Sequence, residues 1–129
     1  MYGYEYLKKF LEEQNFKYDD EERMYIYNYH GVKYIGWKND SPFLQLCIVF
    51  FNVTDDNRDK CLRICNDLNC KCFVVKTTVV EDSIWCSYEF MPNEAFPLDE
   101  FVQIMQLLDR VSDEFLEKFQ EENKEGVEN

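Results

Sequence analysis

Hydrophobic and polar positions follow two different periods along this chain, and each change of period marks an element boundary. Tyr4, Leu7, Phe10 and Leu11 recur at helical spacing and predict a first helix ending near Asn15. From Met24 to Lys38 the period drops to two, with His30-Gly31 where a two-residue hairpin turn would fall. Pairing about that turn sets Tyr29 opposite Val32, Tyr27 opposite Tyr34 and Tyr25 opposite Gly36. Ile26 then meets Ile35 and Met24 meets Trp37 on the other side. One face of the hairpin is expected to be tyrosine-rich, the other aliphatic with one tryptophan.

Phe43 to Val53 is apolar on both sides, with Leu44, Leu46, Ile48 and Phe50 facing one way and Phe43, Cys47, Val49 and Phe51 the other. Such a strand belongs in the middle of a sheet. Thr54, Asp55 and Asp56 open a second helix, which runs to about Leu68 with the stripe Cys61, Leu62, Cys65 and Leu68. Asn69 is suited to the left-handed conformation that ends it. A second hairpin turns at Glu81-Asp82 and pairs Val79 with Ile84, Thr77 with Cys86, Val75 with Tyr88 and Phe73 with Phe90. Its other face carries Lys76, Thr78, Ser87 and Glu89 together with Trp85. Pro97 opens a last helix, whose stripe is Phe101, Ile104, Met105, Leu108, Val111, Phe115 and Phe119. The expected fold is α+β, in the order αβββαββα, with a five-stranded antiparallel sheet and helices packed against it. Residues 1–120 form one domain, and the polar, acidic stretch 121–129 is expected to fray.

Composition narrows the function. A hydrophobic fraction of 46% gives the chain enough apolar surface to fold without cross-links. A formal net charge of −12 repels phosphate backbones and anionic membrane surfaces, so neither nucleic acid nor membrane is an expected partner. No apolar run reaches the roughly 20 residues of a membrane span. The N-terminal stretch lacks the pattern of an export signal, so the six cysteines read as reduced thiols and the location as cytoplasmic.

Candidate chemistry is sparse. Cys61, Cys65, Cys70 and Cys72 could converge on a tetrahedral metal or form a redox site, but their spacing lacks the Cys-x-x-Cys pairs of ordinary zinc sites, and buried thiols are the simpler reading. The one histidine, His30, sits at a hairpin tip rather than beside a thiol, so no catalytic pair is expected. The acidic runs lack the alternating ligands and central glycine of a calcium loop. No glycine-rich phosphate loop is written. No catalytic residue and no cofactor are therefore assigned. Tyrosine combines apolar area with a polar tip and loses little rotamer freedom, so Tyr25, Tyr27, Tyr29 and Tyr34, with Phe51 and Leu62, are the candidate partner-binding residues. A half-buried sheet face covered by a helix would explain the tyrosines equally.

The element order, the segment from Leu62 to Asn69 (Leu-Arg-Ile-Cys-Asn-Asp-Leu-Asn) and the strand Phe73-Val74-Val75-Lys76 resemble the YbjN-like family, whose fold is similar to type III secretion chaperones. The resemblance implies an antiparallel sheet with helices against it, frequent homodimers and no enzymatic activity. It further implies an interaction domain that regulates or protects a protein partner, with a dedicated secretion chaperone holding one cargo chain as the narrower alternative.

Overall fold

The computed structural model describes all residues except 29, 30, 32, 72, 73 and 129, and side chains as far as residue 122. Among these, the chain forms α1 (Gly3–Glu13), β1 (Lys17–Asp20), β2 (Met24–Tyr27), β3 (Lys33–Gly36), β4 (Leu44–Asn52), α2 (Arg58–Lys71), β5 (Val75–Val80), β6 (Ser83–Phe90) and α3 (Leu98–Glu128). The strands make one antiparallel sheet of six, in the order β1-β2-β3-β4-β6-β5. The sequence predicted five. The additional strand, β1, is a short edge whose Tyr18 alone turns an apolar side chain toward the helix side, too little for the pattern to show.

Each helix boundary has a local cause. The Glu5 carboxylate reaches back to accept the Tyr2 N–H at 2.7 Å, covering an orphan donor at the start of α1. At its end Asn15 takes a left-handed backbone (φ 59°), and Phe16 N–H closes onto the Leu11 carbonyl at 3.0 Å, the geometry of a Schellman stop. Gly3 abuts the chain between β3 and β4 so closely that a Cβ would stand 2.8 Å from the Pro42 carbonyl oxygen. Ahead of α2, Thr54 and Asn57 bond reciprocally, Thr54 N–H to Asn57 Oδ1 at 2.7 Å and Asn57 N–H to Thr54 Oγ1 at 3.3 Å.

The second hairpin has the predicted register from Val75↔Tyr88 to Val79↔Ile84, and Glu81 in its turn is left-handed (φ 55°); Phe73 lies outside the described residues. The first hairpin is shifted by one residue. Tyr25 pairs with Ile35, Ile26 with Tyr34 and Tyr27 with Lys33, a register that a two-residue turn at His30-Gly31 cannot give, and Gly31 is left-handed (φ 77°). With a side-chain period of two, that shift exchanges the faces of every β3 residue.

All three helices lie on one face of the sheet. Leu7, Phe10 and Leu11 of α1 and Phe101, Ile104, Met105, Leu108 and Val111 of α3 form one core with Met24, Ile26, Tyr34, Leu44, Leu46, Ile48, Val75 and Cys86. A second cluster joins Cys61, Ile64, Cys65 and Leu68 of α2 to Phe115, Val53 and Ile84. The buried α2 stripe thus runs through Ile64, while Leu62, placed on the stripe by the sequence reading, is 49% exposed. Asn69 stays helical. Its amide bonds both main-chain groups of Thr77, accepting N–H at 2.7 Å and donating to C=O at 2.9 Å, which closes the β5 edge at that point. The α3 backbone remains helical through the acidic stretch expected to fray, as far as Glu128.

Tyr34 ties the sheet to α3. The ring is fully buried, and its hydroxyl donates to the Asp109 carboxylate at 2.9 Å while accepting from Asn28 Nδ2 at 3.3 Å. Burial, reinforced by the carboxylate, raises the hydroxyl pKa well above the ordinary tyrosine value of about 10. A raised folded-state pKa means that this stabilisation is complete below pH 10 and fades as the pH climbs further. Tyr34→Phe is expected to cost about 1.5–3 kcal/mol, the range for hydrogen bonds to charged groups. It should also reduce the stability lost as the pH rises above about 10, followed in urea melts.

Candidate functional site

Ile35 and Cys47 are buried but belong to neither cluster, because they project from the sheet face that no helix covers. The register strings Tyr25, Ile35, Cys47, Ser87 and Lys76 in one row across that face. Two tryptophans shield the middle of the row. Trp37 and Trp85 stack with ring centres 5.1 Å apart and planes 20° from parallel, an arrangement that favours close contact between large apolar rings. Beneath them Trp37 Nε1–H donates to Cys47 Sγ at 3.2 Å, and that sulfur lies 3.3 Å from Ser87 Oγ. Burial pushes the Cys47 thiol pKa up despite these two contacts, so it stays protonated and unreactive.

Cations sit over the rings of this face. The Arg23 guanidinium is 4.1 Å from the Trp37 ring centre, Lys33 Nζ 4.8 Å from that of Tyr25 and Lys17 Nζ 5.4 Å from that of Tyr27. Beside the tryptophans opens a shallow concavity of about 370 Å³, bounded by Arg23, Tyr25, Lys33 and Ile35 on one side, floored by Val49, and closed by Trp85 and the β5–β6 turn. Shape, aromatic content and mixed charge suit contact with another polypeptide. Among the described residues no cluster of three or more potential metal ligands forms.

The residues singled out from sequence divide between the two faces. Tyr25 and Tyr27 lie half-buried on the uncovered face. Tyr34 lies on the opposite face, buried under α3, as the one-residue shift requires. Tyr29 lies outside the described residues, as do His30 and Cys72. Phe51 leaves the strand alternation at a bulge, where its left-handed backbone (φ 64°) turns the ring to the helix side, 5.2 Å from Phe115 and 4.6 Å from Phe119. Leu62 is exposed on α2, on the helix side of the molecule. Cys61 and Cys65 point into the second cluster, where burial raises both thiol pKa values, whereas Cys70 is exposed. These described thiols therefore do not converge on one centre. Sequence reasoning put Trp37 on the wrong face and read Trp85 as incidental. The alternation of Trp85 with the buried Ile84 and Cys86 was the available signal, since it already placed this ring opposite the core.

A family model described as T3SS (YopN, CesT) and YbjN peptide-binding chaperone 1 (TY-Chap1) matches residues 4–124. Among solved structures, the crystal structure of YbjN from E. coli aligns with a TM-score of 0.62 at 11% sequence identity, over 88% of this chain and 87% of that one. At that identity the likeness is one of fold. No curated protein matches the sequence.

Proposed function

The chain belongs to the TY-Chap1 family of peptide-binding, chaperone-like interaction domains, and we propose that it holds an extended segment of a partner protein against the uncovered sheet face. The observation that supports this reading is the Trp37–Trp85 stack, exposed beside a concavity rather than packed under a helix. Large rings left half-exposed at the centre of a sheet carry the apolar area on which binding hot spots are built. On this reading the protein acts by binding alone, in the cytoplasm, with reduced thiols, and the bound segment is regulated or protected by its partner. A secretion chaperone dedicated to one cargo is the narrower form of the same activity. Homodimerisation would then use the helix side, where Leu62 and Leu116 are exposed, and leave the sheet face open.

Val49→Lys tests the proposal, because Val49 floors the concavity and touches neither core cluster. An array of overlapping peptides from unfolded proteins should bind the wild type. The variant should lose most of that binding while its melting temperature shows that it is still folded. Undiminished binding by a folded variant would place the site elsewhere.

A further inference from the structure

The concavity on the uncovered face has opposite charges on its two rims, and this specifies a class of peptide. The chain has 26 acidic and 14 basic residues, so a cation on its surface is surrounded by an excess of carboxylates. Among the described residues Lys8, Lys38 and Arg63 form ion pairs, with Asp20, Asp20 and Glu122. Lys17, Arg23 and Lys33 have no ion-pair partner among the described residues and are held over aromatic rings instead. Two of them, Arg23 and Lys33, form one rim of the concavity. Glu81 and Asp82 form the other. The nearby Arg58 is bonded to the main-chain carbonyl of Glu81 at 3.0 Å, and among the described residues the Asp82 carboxylate accepts only the Ser83 hydroxyl, at 3.4 Å. Aliphatic Ile35, Val49 and Val80 lie between the rims with Trp85.

The sheet order sets the distance across. From β3, which carries Lys33, to β5 there are three strand spacings, about 14 Å, which an extended chain crosses in about four residues; Arg23 precedes β2, one spacing farther out, and lines the same rim. Resting on the peptide-binding reading above, we infer that the bound segment carries an acidic and a basic residue about four positions apart with aliphatic residues between. Its carboxylate meets Arg23 and Lys33, and its cation meets Glu81 and Asp82. An open antiparallel sheet bearing aromatic rings and cations is also a platform for single-stranded nucleic acid. Here the rings are already stacked on each other or capped by cations, and one rim is acidic, so the charge pattern favours a peptide.

Three blocked, labelled peptides of equal length test this by fluorescence polarisation: acid–aliphatic–base, base–aliphatic–base and acid–aliphatic–acid. The wild type should prefer the first over the others by about fivefold, the effect of one or two solvent-exposed charge contacts. The double variant R23E/K33E should instead prefer base–aliphatic–base, and E81K/D82K should prefer acid–aliphatic–acid. These side chains lie outside both core clusters, and circular dichroism confirms folding. Equal affinity of the wild type for all three peptides, or an unchanged order in both variants, overturns the charge pattern and leaves peptide binding standing. Failure of every peptide to bind, or competition by a single-stranded oligonucleotide at physiological salt, overturns both the pattern and the reading beneath it.

Discussion

Phe115→Ala is expected to destabilise the fold by about 3–5 kcal/mol, the range for truncating a buried phenylalanine. Phe115 is fully buried at the junction of α2, α3 and the bulged end of β4, with Phe50 at 5.6 Å, Phe51 at 5.2 Å and Phe119 at 6.3 Å between ring centres. Each edge-to-face pair contributes about 0.5–1.5 kcal/mol beyond the area it buries, so removing the central ring loses pairing energy as well as transfer energy. Phe51 adds to the effect. A left-handed backbone at a non-glycine residue costs about 1–3 kcal/mol and persists only where neighbours compensate, and Phe115 is one of the two rings that do so. Denaturant unfolding should show the midpoint falling with little change in slope. A loss below about 1 kcal/mol would mean that the second cluster is not packed as described.

Trp85→Ala should act in the opposite place, on binding more than on folding. Truncating an interface tryptophan at a hot spot costs about 2 kcal/mol or more, so affinity for a bound peptide should fall about 30-fold. The stability cost should stay well below that of Phe115→Ala, because Trp85 is only half-buried and lies outside both cores. A second readout is independent of any ligand. Cys47 is closed to solvent under the stacked rings, so the variant should offer a thiol reagent one more rapidly reacting sulfur than the wild type. An unchanged thiol count would show that Trp37 shields Cys47 alone.

Most of the helix side was legible in the sequence, because its elements are long and each carries a single period. The α3 stripe, the α1 stripe and the second hairpin could be read directly, the hairpin because its two-residue turn fixes its register. The uncovered face was harder. One residue of register between β2 and β3 decides whether Tyr34 or Trp37 faces the helices, and alternating tyrosines fit either register. The polar strand β1 left no apolar signature beyond Tyr18. The Phe51 bulge moves a ring across the sheet through a backbone angle that no pattern of apolar residues encodes. On α2 the spacing did hold the answer, since Cys61, Ile64, Cys65 and Leu68 follow helical recurrence and Leu62 does not. Cation–ring pairs depend on cross-strand neighbours, so an error in register hid them as well.

Side placement links these features to function. With three helices on one face, the core is complete without the other, and the apolar residues on that other face are available to a partner. The two sheet edges differ in the same sense. At β5 Asn69 bonds the outward peptide groups of Thr77, and at β1 charged Lys17, Asp19 and Asp20 discourage pairing of sheets edge to edge. On the proposed reading, binding is thereby directed to the face.

Both tryptophans of the chain stand on that face, so tryptophan emission, excited at wavelengths where the nine tyrosines do not absorb, reports on it alone. The most direct measurement is tryptophan emission and its quenching by acrylamide, with and without a saturating peptide whose binding is followed separately by polarisation. Occupation of the uncovered face predicts a shifted emission maximum and weaker quenching when the peptide is bound. A bound peptide that leaves both quantities unchanged would contradict the assignment and place the binding surface on the helix side.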